Sequence, residues 1–114
     1  MVNRGENLPV KFVEHFRGGD GETIVKDLTA GKKPANVRVC SEMVLMKGCS
    51  IGRHGHSDDS EIIYILGGEG VYDDNGTVVS VRAGDTLVCF AGEEHSLRNE
   101  KDDPLRYLAL IVAE

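Results

Sequence analysis

The stretch GRHGHSDDSE, residues 52–61, decides the fold, because it places two of the four histidines and a glutamate at a telling spacing. If the histidines end a strand, His54 and His56 project from the same face. Glu61 has the opposite parity to His54 and would point away from it on one continuous strand. Ser57–Ser60 is a plausible turn sequence, and a hairpin there would let Glu61 face the histidines.

A third histidine, His95, follows Gly92 in another predicted hairpin region. Together with the first two histidines and the glutamate it would give three imidazoles and one carboxylate. This mixed donor set suits a divalent transition ion such as Mn, Fe, Co, Ni or Zn. In octahedral geometry the four ligands would leave two positions for water or substrate. Two histidines in a loop are more often exposed polar residues, so the pair alone is a weak signal.

Short apolar segments separated by glycine fill the rest of the chain, and their Val, Ile, Leu and Thr content favours strands. The predicted strands are Thr23–Leu28, Val37–Met46, Glu61–Leu66, Gly70–Tyr72, Thr77–Val81, Thr86–Phe90, His95–Asn99 and Leu105–Val112. Asn75-Gly76 accepts the positive φ angles of a type I′ turn and predicts a tight hairpin. The regular spacing predicts an antiparallel sandwich or barrel, with residues 1–22 as an arm containing short strands and residues 23–114 as the barrel domain.

The spacing of these residues resembles the two sequence motifs of the cupin superfamily, a group of small β-barrels. The first motif, G-x5-H-x-H-x(3,4)-E-x6-G, is matched at every fixed position by Gly48, His54, His56, Glu61 and Gly68. The second motif, G-x5-P-x-G-x2-H-x3-N, is matched by Gly84, Gly92, His95 and Asn99, with Phe90 in place of the proline. Because the proline sets a turn and is not a ligand, this departure concerns the local backbone and not the metal.

The resemblance implies an all-β, cupin-type antiparallel β-barrel or double-sheet jelly roll with little helix, built from six to eight strands. It also implies that His54, His56, Glu61 and His95 line one mouth and hold one divalent metal ion next to a small ligand. Cupins commonly dimerise through sheet faces or N-terminal strands. Residues 62–66 are apolar on both faces, which requires a second sheet, a partner subunit or both. We therefore expect a homodimer.

The family does not choose the chemistry, since it contains dioxygenases, decarboxylases, isomerases, lyases, small-molecule binders and regulatory domains. Single-domain bacterial relatives with a stretch like SEIIYILGGEG, residues 60–70, are often described as oxalate-decarboxylase-like. Oxalate decarboxylase itself resembles two joined cupins, so its activity is not carried over. The leading hypothesis is a metal-dependent enzyme for a small oxygenated metabolite, with dioxygenase first and isomerase second. The alternative is a non-catalytic domain that binds or senses a small molecule through its metal.

Charge and composition limit the classes of binding partner and the cellular location that we expect. A net charge of −6 without a basic cluster argues against nucleic acid and anionic membranes. The longest apolar run, Tyr107–Ala113, falls short of the ~20 residues that a membrane span needs. The N-terminus lacks the apolar stretch of a signal peptide, so we expect a cytoplasmic protein. Cys40, Cys49 and Cys89 have no CxxC spacing and are expected to be free thiols.

Three residues near the motifs allow a second interpretation. Cys89 could serve in redox chemistry or as a ligand, but a buried free cysteine is more often a small apolar filler. Glu93 shares the parity of His95 and could be a general base, although a surface charge is the more frequent role. Tyr64 lies three residues after Glu61, so it points away from the predicted metal and is expected to pack or to form an interface.

Overall fold

The chain folds into two antiparallel sheets, described for residues 1–114 by a computed structural model. The strands are β1 (Val10–Glu14), β2 (Glu22–Asp27), β3 (Val37–Leu45), β4 (Ser50–Gly55), β5 (Asp59–Gly67), β6 (Glu69–Asp74), β7 (Thr77–Arg82), β8 (Thr86–Cys89), β9 (Glu94–Arg98) and β10 (Leu105–Ala113). Two short 3-10 turns, Gly5–Asn7 and Phe16–Gly18, are the helical elements. Neither has the length or the apolar character that a helix crossing a membrane requires.

One sheet has six strands in the order β1-β2-β3-β10-β5-β8, and the other has four in the order β4-β9-β6-β7. Every neighbouring pair is antiparallel. The predicted all-β, double-sheet architecture is therefore confirmed. The count of ten strands exceeds the six to eight that the family resemblance implies. One reason is that β1 pairs with β2, with Val10 opposite Lys26, and widens the six-stranded sheet.

The core lies between the inner faces of the sheets, where buried residues of both form one hydrophobic cluster. Strand β5 shows how the faces divide. Its Ile63 and Ile65 are buried in the cluster, whereas Ile62, Tyr64 and Leu66 are 40%, 42% and 37% exposed. The second sheet thus covers one side of this doubly apolar strand, and no part of the chain buries the other.

The hairpin between β6 and β7 has the predicted turn. Asn75 has φ 52° and Gly76 has φ 96°, and a type I′ turn requires positive φ at both central residues. Asp74 and Thr77 pair directly across the turn. The local signal of Asn followed by Gly was therefore sufficient to place this hairpin.

The segment Ser57–Ser60 does not close a hairpin. β4 belongs to the four-stranded sheet and β5 to the six-stranded sheet, so the segment carries the chain from one sheet to the other. β5 already begins at Asp59, earlier than the predicted start at Glu61. Because the sheets face each other, Glu61 still meets the histidines, although by a crossing between sheets and not by a tight turn.

The N-terminal part of the chain packs closely against β4. A Cβ atom on Gly52 would lie 2.1 Å from the carbonyl oxygen of Arg17, and one on Gly19 would lie 2.0 Å from that of Ser50. Only glycine permits this approach of two backbones. The turn Phe16–Gly18 is consequently seated on the strand that leads to the first histidine of the candidate site.

Candidate metal centre

Four donor side chains converge between the sheets. Their ligand atoms all lie within 4.8 Å of one another. The Oε1 atom of Glu61 is 2.9 Å from Nε2 of His95, 3.2 Å from Nε2 of His56 and 3.9 Å from Nε2 of His54. Nε2 of His95 lies 3.2 Å from that of His54 and 3.3 Å from that of His56. The structure therefore brings together all four residues that the sequence singled out as ligands.

Both sheets contribute to this cluster. In the four-stranded sheet, His54 of β4 stands directly opposite His95 of β9, and His56 follows the end of β4. A register shift between Ile51 and His54 bends the ladder just before the site. Glu61 comes from β5 in the six-stranded sheet. Glu61, His56 and His95 are buried, so their polar atoms depend on one another or on a bound group for compensation.

The outer ring nitrogens of two histidines are held by acceptors. Nδ1 of His54 donates to the carbonyl oxygen of Gly52 at 2.8 Å, and Nδ1 of His56 donates to Oδ1 of Asp59 at 2.6 Å. Since a neutral imidazole carries one proton, both Nε2 atoms then present a lone pair to the interior of the cluster. Hydrogen bonding of the second ring nitrogen is the usual way in which proteins orient metal-binding histidines.

The third histidine has a phenol behind it. Nδ1 of His95 lies 2.7 Å from the hydroxyl of Tyr72, which is itself buried. Burial, reinforced by nearby negative charges, raises the pKa of Tyr72, so the phenol stays neutral. A neutral hydroxyl can accept a hydrogen bond from Nδ1, which leaves Nε2 of His95 free as a donor to a metal.

The separations of the imidazole nitrogens at His95 are those expected of donors to one metal ion. Two nitrogens ~2.1 Å from an ion lie about 3.0 Å apart at adjacent octahedral positions and about 3.4 Å apart in a tetrahedron. The Nε2 separations at His95, 3.2 Å and 3.3 Å, fall within this range. Burial is the main cause that lowers the pKa of His54, and this favours the neutral imidazole that a metal binds.

A small cavity of about 70 Å³ adjoins the cluster. Its walls are mostly apolar and include Met43, Ile63 and Leu97 from the core. His54, Glu61 and His95 form part of its lining, and the other polar groups there are Arg17 and Ser96. By the volume that one water needs, the cavity has room for roughly five to seven water-sized groups. It therefore suits a ligand of a few non-hydrogen atoms.

Cys89 and Glu93, two residues with open roles, lie outside this cavity. Burial, followed by nearby carboxylates, raises the pKa of Cys89 to about 11, so the buried thiol stays protonated, as expected of an apolar filler. Glu93 is half-buried, and its carboxylate accepts hydrogen bonds from the backbone N–H of Phe90 at 2.8 Å and from the Asn75 amide at 3.1 Å. These contacts stabilise the turn that contains Glu93.

Phe90 occupies the motif position where cupins carry a proline, and the turn forms without it. The N–H group that donates to Glu93 would be missing in proline. Gly92 has φ 89°, which supplies the positive angle at the third turn position. The side-chain hydrogen bond and the glycine thus replace the constraint of the proline ring, and His95 still reaches the cluster.

Asp59, Tyr72 and Arg17 also belong to the site, although the sequence did not single them out. Asp59 has the same parity as Glu61, which is a usable signal, but its place in a predicted turn hides this relation. Tyr72 reaches His95 through the pairing of β6 with β9, where Asp74 stands opposite His95. Arg17 is brought in by close backbone packing of the N-terminal turn. Neither of these two contacts has a signature in the local sequence.

Comparison with known proteins gives a consistent picture. A family model described as "Cupin domain" matches residues 41–111. A protein of Thermotoga maritima named "Oxalate-binding protein" is 38% identical over 113 residues, which cover 98% of this chain and 93% of that protein. The residues matched by the family model include all four members of the cluster.

Solved structures share the fold. The crystal structure of a predicted oxalate decarboxylase from Thermotoga maritima has a TM-score of 0.92 and 38% identity, with full coverage of both chains. A sugar phosphate isomerase of the cupin superfamily from Silicibacter pomeroyi has a TM-score of 0.82 at 19% identity, covering 100% of this chain and 76% of that one. The cupin domain of Schizosaccharomyces pombe Cnp3 has a TM-score of 0.75 at 12% identity, covering 92% and 69%. At these low identities the last two support the fold alone.

Proposed function

Because this chain belongs to the cupin family, we propose that it binds a small oxygenated anion through one divalent metal ion held by His54, His56, Glu61 and His95. The observation that carries this proposal is the arrangement of the three imidazoles. Each has its Nδ1 atom engaged by an outer partner, while each Nε2 atom is turned toward the carboxylate of Glu61. Mn, Fe, Co, Ni and Zn all suit such a donor set.

When bound, the ion would supply Lewis-acid attraction for an oxygen atom of the ligand. The residues of the chain have the other tasks. His54, His56 and His95 provide neutral donors, and Glu61 lowers the net charge of the centre while serving as the fourth donor. The apolar walls formed by residues such as Met43 exclude water, which strengthens every electrostatic interaction inside the cavity.

The cavity favours binding over catalysis that needs proton transfer. Apart from the candidate ligands, the only charged residue that lines the cavity is Arg17, and a guanidinium is not a general base. Glu93, the one acid considered as a general base, is engaged in a turn. An isomerase needs a positioned acid or base, so this candidate loses support. A metal-dependent dioxygenase is the second candidate, since two open octahedral positions would suffice for substrate and dioxygen.

Oxalate is the ligand that we propose first. A relative that is 38% identical over almost the whole chain is named an oxalate-binding protein. The cavity has room for a two-carbon acid. The oxygens of oxalate are hard donors of the kind that divalent ions bind readily.

Titration of oxalate by calorimetry into metal-loaded and metal-free protein tests the proposed function. The protein loaded with one equivalent of Mn²⁺ or Zn²⁺ is expected to bind oxalate, and the chelated protein to bind it at least tenfold more weakly. Equal binding by both forms would contradict metal anchoring. Consumption of oxygen by the Fe²⁺-loaded protein with oxalate or another small acid would favour the dioxygenase.

We also propose that the protein forms a homodimer through the outer face of the six-stranded sheet. Ile62, Tyr64 and Leu66 are exposed there, and Val88 of β8 stands opposite Ile62 and is 41% exposed. This contiguous apolar face is an unusual surface for a single chain to leave in water. The same apolar face of a second copy of the chain would bury it against apolar side chains.

Replacing Tyr64 with glutamate is expected to convert the dimer to a 12.4 kDa monomer, because the charge would be buried without a partner at the interface. Sedimentation at micromolar concentration measures this change. Val78→Glu is a matched control, since Val78 is an exposed apolar residue of the other sheet. A wild-type protein that sediments only as the monomer would exclude the homodimer.

A further inference from the structure

Arg17 stands at the opening of the cavity. It lines the cavity and is also exposed to solvent. Its guanidinium forms no ion pair and no side-chain hydrogen bond, whereas Arg38, Arg53 and Arg98 are each paired with carboxylates. An arginine that lines a small cavity and has no side-chain partner has the chemistry to receive an oxyanion.

The backbone holds Arg17 in an unusual conformation at this position. Its φ angle is 54°, in the left-handed region that residues other than glycine rarely adopt. The contact between the backbones of Arg17 and Gly52 fixes the turn against β4, the strand that carries His54. Such conformations persist only where the surrounding structure imposes them, and they cluster at functional sites. Glycine would adopt this backbone conformation without strain. The presence of arginine instead indicates that its side chain has a use at this position.

The charges around the cavity favour an anion. With a divalent ion bound, the positive charges of the ion and of Arg17 exceed the single negative charge of Glu61. The chain as a whole carries a net charge of −6, so this positive region is local. Arg17 lines the same cavity as His54, Glu61 and His95, so its charge belongs to the same site as the candidate ligands.

We propose that Arg17 recognises one carboxylate of a small dicarboxylate whose other oxygens face the metal centre. The inference rests on the proposed function and adds to it the residue that selects a doubly charged ligand. The guanidinium can donate two parallel N–H bonds to a carboxylate, which fixes its orientation as well as its charge. The cavity accommodates the shortest dicarboxylates, so oxalate and malonate serve as probes.

Calorimetric titration of oxalate into the metal-loaded Arg17→Gln variant tests this role. We expect oxalate affinity to fall about 10- to 100-fold, as for loss of charged hydrogen bonds, while metal content stays at one equivalent. Arg17→Lys should retain part of the affinity, because it keeps the charge and loses the paired donors. Acetate, which has one carboxylate, should bind weakly to wild type and lose little in Arg17→Gln. Arg82→Gln removes the same charge from an exposed site outside this cavity and should leave affinity unchanged.

A further variant, Arg17→Gly, separates loss of the guanidinium from an effect of misfolding. Glycine accepts φ 54° without strain, so the melting temperature should be equal to or above that of wild type while oxalate affinity falls as in Arg17→Gln. Unchanged oxalate affinity in both variants would overturn the inference and leave metal-anchored binding intact. Loss of metal from both variants would also overturn it, because Arg17 would then support the metal and not the ligand.

The result for wild type separates this inference from the proposed function. If metal-loaded wild type binds neither oxalate nor malonate, the assignment of a dicarboxylate is wrong even though a metal is held. If wild type holds no metal, the proposed function fails, and oxalate binding to the metal-free protein decides the inference. Binding that depends on Arg17 would support it, and binding that ignores Arg17, or no binding, would overturn it.

Discussion

Replacing His95 with alanine is expected to remove nearly all bound metal while the protein keeps its strand-rich circular dichroism. Nε2 of His95 lies within 3.3 Å of the donor atoms of His54, His56 and Glu61, so it is the donor that adjoins all the others. Loss of an outer partner alone lowers metal affinity 10- to 100-fold, and loss of a donor should exceed this. Elemental analysis of protein dialysed against a low concentration of metal measures the effect.

His15→Asn is a matched control for this variant. His15 is the fourth histidine, is exposed and lies outside the cluster, and asparagine tolerates its φ of 50°. The control should keep one equivalent of metal, and added metal should raise its melting temperature, since a ligand of the native state stabilises it. The melting temperature of the His95→Ala variant should not respond to metal. A full equivalent retained by His95→Ala would refute His95 as a ligand.

Acid should reproduce this loss in the wild-type protein. Metals bind neutral imidazole, so protons compete with the ion as pH falls from about 7 to about 5. The lowered pKa of His54, caused mainly by burial, keeps that ring neutral to lower pH. Protonation of His54 should therefore contribute to metal loss only toward the acid end of this range. The released protein should remain folded, because the apolar cluster between the sheets does not depend on the ion.

Replacing Asp59 with alanine is expected to weaken metal binding about 10- to 100-fold without unfolding the protein. The Asp59 carboxylate accepts the Nδ1 proton of His56 at 2.6 Å and also binds Arg38 at 2.9 Å. Although burial opposes ionisation, the hydrogen bonds from His56 and Arg38 keep the pKa of Asp59 below its usual value. Without this anion, His56 would lose the partner that fixes its tautomer and its orientation. Competition with a chromophoric chelator measures the affinity.

Asp58→Ala supplies the matched comparison. Asp58 is adjacent in sequence and binds the same guanidinium of Arg38 at 2.9 Å, but its side chain forms no bond with His56. Both variants lose one negative charge, and Asp58→Ala loses two hydrogen bonds with Arg38 whereas Asp59→Ala loses one. If Asp58→Ala weakens metal binding as much as Asp59→Ala, the effect is one of general charge, and the role of Asp59 in orienting His56 is wrong.

The parts of the fold that sequence reasoning located correctly depend on local rules. Asn75-Gly76 needs positive φ angles, which hairpins provide, and the apolar neighbours of Ile63 formed the expected strand. β4 is only weakly predicted as a strand, because its glycines and charged residues are not typical of strands. The position of Glu61 relative to His54 could not be settled by parity, since the chain changes sheets between them.

The site shows the same limit. Its four candidate ligands have fixed spacings along the chain, so the two motifs were enough to identify them. Tyr72 and Arg17 arrive through the register of β6 with β9 and through the backbone contact at Gly52, which are tertiary properties. The division at residue 22, the cytoplasmic location and the homodimer remain predictions.

The division of the donors between the sheets has a mechanical consequence. His54 and His95 lie on strands of the four-stranded sheet, His56 directly follows β4, and Glu61 lies on the six-stranded sheet. An ion bound by all four would therefore cross-link the two sheets. Packed layers can slide slightly over each other by small shear movements. Such a cross-link would restrict this sliding close to the ion and leave the more distant parts of the sheets free to move. Metal loading would thus set the stiffness of the walls around the cavity, and with it the ease with which a ligand enters.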